Sequence, residues 1–160
     1  MNRTIVLASM ALSFALAAAP APARAEDPAR TIAVVVDRDN PRQDITVAEL
    51  REIFQGKRKD WPDGARIIAL DLEPGPAREG FNRAVLKMDQ AAVDQYWVEQ
   101  KVRGAGSPPK AVGPTTAVKL VPRVRGAIAY VPLSAVDASV KVLTVEGVAP
   151  DKAGYPLVAR

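Results

Sequence analysis

Residues Ile32 to Val36 read IAVVV, an unbroken apolar run that is mostly β-branched. A strand of this composition has no polar face to offer water, so it must be covered on both sides. Arg66–Leu70 (RIIAL), Ala127–Val131 and Val140–Val145 read as further strands, and helical patterns stand between most of them. Strands alternating with helices predict an α/β fold, a three-layer sandwich around a mostly parallel sheet. No internal repeat of solenoid period interrupts that pattern.

The helix signals are specific. Thr46 and Glu49 stand three apart as a capping box, ahead of Val47, Leu50, Ile53 and Phe54 at helical spacing, and Gly56 supplies a left-handed stop. Trp61-Pro62-Asp63-Gly64 reads as a turn. A second helix is expected over Ala77–Met88, burying Phe81, Ala84, Val85 and Met88. Asp89 is placed to cap a third, which runs to Val102 and buries Val93, Tyr96 and Trp97. Arg103–Pro114 holds three glycines and three prolines and reads as irregular throughout. Thr115 or Thr116 is expected to cap a short fourth helix ending before Gly126. Residues 146–160, with Pro150, Gly154 and Pro156, read as a loosely held tail behind a single domain over 26–145.

The first 25 residues read as a cleaved export signal. Met1-Asn2-Arg3 is a positive start, Thr4–Ala19 is uncharged and mostly apolar, and Ala23-Arg24-Ala25 has the small-x-small pattern of a cleavage site before Glu26. The apolar run is shorter than the roughly 20 residues that span a bilayer. Removing 25 of 160 residues leaves 135, and removing Arg3 and Arg24 leaves 20 basic against 18 acidic residues. A balance of +2 is no footprint for nucleic acid, and Lys57-Arg58-Lys59 beside Trp61 reads as a solvated loop.

Cysteine and histidine are both absent. Thiol nucleophiles, disulfides, Cys/His metal sites and His-dependent triads are therefore excluded. Ser107-x-x-Lys110 has the spacing of a serine acyl enzyme, but Pro108 and Pro109 forbid the helical turn that chemistry needs. Asp37-x-Asp39 lacks the glycine and glutamate of a calcium loop. No catalytic residue, metal site or cofactor is expected. In open α/β sheets ligands sit where strands end and helices begin, which leaves two junctions, one ending at Thr46 and one spanning Asp71–Ala77. The second is preferred, with Asp71, Gly75, Ala77 and Arg78 as candidate ligand-binding residues beside Thr46. The bland alternative is that Arg78 pairs with a nearby acid. Trp97 and Tyr130 read as core, Tyr130 with its hydroxyl satisfied at a strand end. Trp61 stays open between ligand stacking and packing.

Taken together, Leu50-x-x-Ile53-Phe54-x-Gly56-Lys57-x-x-x-Trp61-x-Asp63-Gly64, Arg78-x-x-Phe81 and Gly126-Ala127-Ile128-Ala129-Tyr130-Val131 resemble, in order and spacing, segments of the phosphate-type solute-binding proteins of ABC uptake systems. The resemblance spans about residues 31 to 145. It implies the fold of one lobe of a type II periplasmic binding protein, since the family has two lobes and this chain is long enough for one. The family's phosphate loop reads Ser-Gly-Thr where this chain has Gly75-Pro76-Ala77. Both hydroxyl donors are thus replaced, and Pro76 brings no N–H. Where some members carry an arginine that pairs with phosphate, this chain has Asp71. The resemblance implies a non-enzymatic, periplasmic module that binds a small or anionic ligand or serves solute uptake. The alternative is a periplasmic interaction or regulatory module with a vestigial cleft, docking on an envelope or transporter protein or on a second copy of itself. Nucleic acid is not an expected partner.

Overall fold

In the computed structural model the structure describes Asp27 and residues 29–159, so the expected export signal over 1–25 lies outside the described residues. The elements in chain order are β1 (Ile32–Asp37), β2 (Asp44–Ile45), α1 (Val47–Phe54), β3 (Ile68–Leu72), α2 (Pro76–Phe81), α3 (Gln90–Val102), β4 (Lys110–Val112), α4 (Pro114–Leu120), β5 (Ala127–Pro132) and β6 (Val140–Val145). The strands form one sheet in the order β2-β6-β1-β5-β3-β4. β2 is parallel to β6, and β5, β3 and β4 are parallel to one another, while β1 runs antiparallel to both β5 and β6. The sheet is therefore mixed but mostly parallel, and β1 alone opposes the rest.

Right-handed crossovers then decide where the helices go. The connections β2–α1–β3 and β3–α2–α3–β4 move toward one edge of the sheet, and β4–α4–β5 moves back. Opposite directions with one handedness put α1, α2 and α3 on one face and α4 on the other. Ile32 to Val36 are accordingly fully buried on both sides, as their composition demands. Directly opposite residues Val34 and Tyr130 share the face of α1 and α2, where Phe54 and Phe81 fill the space above them.

The local signals at α1 hold. The Thr46 side chain accepts from Glu49 N–H at 3.1 Å, the Glu49 carboxylate accepts from Thr46 N–H at 3.1 Å, and Gly56 closes the helix at φ +70°. Asp89 caps α3 through Ala92 N–H at 2.8 Å.

Elsewhere the chain departs from local expectation. The expected second helix divides into α2 and a π-helical turn over Asn82–Leu86, which Lys87 ends in the left-handed region at φ 60°. α4 starts at Pro114 behind Gly113, not at a threonine cap, because proline is preformed for the first helical position. Arg103–Pro114 is not irregular throughout. Lys110–Val112 hydrogen-bonds to β3 in parallel register, an edge pairing that the neighbouring strand supplies and local composition does not announce. The expected loose tail over 146–160 is, as far as residue 159, not loosely held: Leu157 is fully buried, Ile32 N–H donates to its carbonyl at 2.9 Å, and the Tyr155 hydroxyl donates to Ile32 O at 2.9 Å. This segment packs so tightly on α2 that a Cβ at Gly80 would lie 2.7 Å from the Ala159 backbone.

Candidate functional site

The junction after β3 is built on an aromatic floor. Phe81 stacks flat on Tyr130 with ring centroids 3.7 Å apart, and Phe54 meets both rings edge-on at 4.8 and 5.4 Å. Such clusters add about 0.5–1.5 kcal/mol per pair beyond the area they bury. They hold the Tyr130 hydroxyl at the carboxyl end of β3, where it donates to Asp71 Oδ1. Burial first, and then the Asp71 charge and hydrogen bond, push the Tyr130 phenol far above its ordinary value, so it stays a proton donor.

Asp71 collects three partners. Besides Tyr130, the Leu72 N–H donates to Oδ1 at 2.8 Å and Arg78 Nη2 meets Oδ2 at 2.9 Å. The Asp71 and Arg78 side chains are each only 13% exposed. Arg78 reaches there from α2, whose first turn begins at Pro76 with no side-chain cap. Its Nε is buried without a hydrogen-bond partner among the described residues. The cation of the junction is thus answered by a carboxylate of the same chain, and Glu73 in the same loop adds a further negative charge. Chemically this is a polar lock, with no nucleophile and base brought together.

The five sequence-derived candidates do not form one site. Asp71 and Arg78 are paired, as the bland alternative required. Gly75 has extended backbone and open space around it, and Ala77 packs partly against the core. Thr46 lies four strand positions away at the end of β2, roughly 19 Å along the sheet. Its hydroxyl is spent on the helix cap.

Around that cap stands a network the sequence did not announce. Glu49 accepts from Arg42 Nη2 at 2.9 Å and from Arg58 Nη1 at 2.7 Å as well as from Thr46 N–H. Burial alone would raise the Glu49 carboxyl, but the Thr46 N–H and the two guanidiniums together hold it below its ordinary value. Arg42 also lies 5.8 Å over the Trp61 ring. Trp61 itself is buried and donates to Gly126 O at 3.0 Å, so it is a packing residue.

No protein-family model matches the chain. No curated protein matches it by sequence either. Solved structures do match in fold. An ABC-type phosphate transport receptor from Vibrio cholerae superposes with TM-score 0.61 at 20% identity, covering 76% of this chain and 48% of that one. A protein described as a phosphate ABC transporter substrate-binding protein, solved with bound phosphate, from Clostridium perfringens gives TM-score 0.61 at 25% identity over 76% of this chain and 47% of its own. PstS from Borrelia burgdorferi gives 0.62 at 13% identity over 80% and 54%. The chain therefore has the α/β fold of the periplasmic binding proteins and spans about half the length of these relatives, as one lobe would.

Proposed function

We propose that this chain is an exported, non-enzymatic binding module that works in or beside solute uptake, and that as a lone lobe it does not hold phosphate tightly. The fold likeness to phosphate-transport binding proteins supports the first part, and residues 1–25 support export to the periplasm. The observation that carries the second part is the Asp71 carboxylate, which is held by Tyr130 and Leu72 and takes up the Arg78 guanidinium that an anion would need. Micromolar affinity needs about −8 kcal/mol. Asp71 repels an anion and cancels the attraction of Arg78, so the pair contributes little of that total. The loop offers little in return, since Gly75 and Ala77 have no hydroxyl and Pro76 no N–H. A productive cleft then needs a second body: another lobe, a transporter component or a second copy.

Titration calorimetry at low salt tests this directly. The wild-type chain should show no phosphate binding below about millimolar concentration. Gly75→Ser/Pro76→Gly/Ala77→Thr returns loop donors but keeps the repulsion, so it should gain little until Asp71→Ala is added. Micromolar binding by the wild-type chain overturns the proposal. Intact mass of the exported protein should begin at Glu26.

The second reading, an envelope interaction module with a vestigial cleft, is favoured by the same self-satisfied carboxylate. Native mass spectrometry of protein from its own cell envelope separates the two, because retained small ligand supports the first and a retained protein partner without ligand supports the second.

A further inference from the structure

A second concavity begins at the amino end of β3 and shares no residue with the Asp71–Arg78 lock. It is a groove of about 780 Å³ between the end of α1, the segment 57–59 and α3. That size falls in the range of small-molecule sites, roughly 300–1,000 Å³. Buried Ile53, Ile67 and Leu70 form its apolar wall, Ile68 is 38% exposed beside them, and the half-buried Trp97 ring adds a flat face packed near Gly56.

The charge on this groove has one sign. Lys57, Arg58, Lys59, Arg66 and Lys110 line it, and no carboxylate does. Two of these cations are already answered, Arg58 by Glu49 and Glu52 and Arg66 by Asp60 at 3.6 Å. Lys57, Lys59 and Lys110 have no ion pair among the described residues. The negative end of α1 does not supply the missing counter-charge. Glu52 O accepts from Lys57 N–H and Arg58 N–H, Ile53 O from Gly56 N–H, and Gln55 O from the Tyr96 hydroxyl.

Gln55 adds a hydrogen-bonding group to the groove. Most of the residue is buried, while its side-chain amide is open to solvent and has no hydrogen-bond partner among the described residues. An apolar wall, an aromatic face, a solvent-open amide and three amines without ion pairs fit a ligand that is both flat and negatively charged.

We propose that this groove is a binding site for a small organic anion, one that places an apolar or ring-containing body against Trp97 and its charged groups toward Lys57, Lys59 and Lys110. Concavity favours a small molecule over a broad macromolecular surface, and charge complementarity sets the sign. The proposal is independent of the phosphate reading above, because neither Asp71 nor Arg78 takes part.

The test uses 8-anilinonaphthalene-1-sulfonate as the flat anion and N-phenyl-1-naphthylamine as its neutral counterpart. The anion should bind one per chain at about 10–50 µM, quench tryptophan emission, and weaken severalfold between low and high salt. The neutral probe should bind at least tenfold more weakly. Lys57→Gln/Lys59→Gln/Lys110→Gln should weaken the anion about tenfold with an unchanged melting temperature, since all three lysines are exposed and unpaired. Gln55→Leu, which keeps the side chain's bulk, should weaken it as well. Equal affinity for both probes, or an unaffected lysine variant, overturns the proposal. So does displacement of the probe by an Asp/Glu-rich decapeptide at lower concentration than the probe itself, which would assign the groove to a protein partner.

Discussion

β3 carries opposite electrostatic solutions at its two ends. At the carboxyl end, Arg78 is matched by Asp71, Tyr130 locks the carboxylate from below, and both charges are largely withdrawn from water. At the amino end, three lysines line a groove with no acid to meet them. The first arrangement spends its charges on the fold. The second leaves them exposed, where they cost little stability and remain available to something that is not this chain. A cationic residue at a strand end is therefore no guide to binding until its partner is known.

The sharpest way to break this comparison is to remove the floor of the carboxyl-end lock. Phe54→Ala should cost about 3–5 kcal/mol, because the ring contacts both Phe81 and Tyr130. Urea melts read this directly, and a loss under 1 kcal/mol would mean the aromatic cluster is not the core of that end.

Next in size is the lock itself. Asp71→Ala leaves a largely buried guanidinium unpaired and takes the acceptor from the buried Tyr130 hydroxyl, and should cost about 3 kcal/mol. Asp71→Ala/Arg78→Met should recover part of that loss. Additive effects in this double-mutant cycle would show that the two side chains do not act as a pair.

Thr46→Ala should cost about 1 kcal/mol through loss of the α1 cap, with no change in any ligand affinity. The same cap predicts a pH dependence. The folded-state value of Glu49 is depressed, so its contribution is present above the unfolded carboxylate value of about 4.3 and is lost as pH falls through the lower folded value. Glu49→Gln should flatten the stability–pH curve in that acid window. An unchanged slope would remove the Arg42–Glu49–Arg58 network from the account.

The smallest effect belongs to the amino end. Lys57→Gln/Lys59→Gln/Lys110→Gln should change stability by less than about 0.5 kcal/mol, as expected for exposed side chains without partners. A large loss there would make the two ends alike.

What the sequence by itself determined is the set of features that adjacent residues enforce on one another. IAVVV has no polar face and had to be central, Thr46 and Glu49 are three residues apart and had to close a cap, and a chain without cysteine or histidine could not hold the chemistry those residues carry. That Gly75-Pro76-Ala77 carries no hydroxyl, and that Pro76 has no N–H, was equally visible. Only the tertiary structure decided the rest, because it depends on residues far apart in the chain. β4 exists because β3 offers an edge, and the final segment is ordered because β1 and Gly80 accept it. The pairing of Arg78 with Asp71 spans a loop, Tyr130 joins them from a strand 59 residues away, and the lysines at 57, 59 and 110 share a groove only after α1, β3 and β4 have packed. Local backbone preferences are settled within a few residues. Whether a charge is answered is settled by whatever the fold brings beside it.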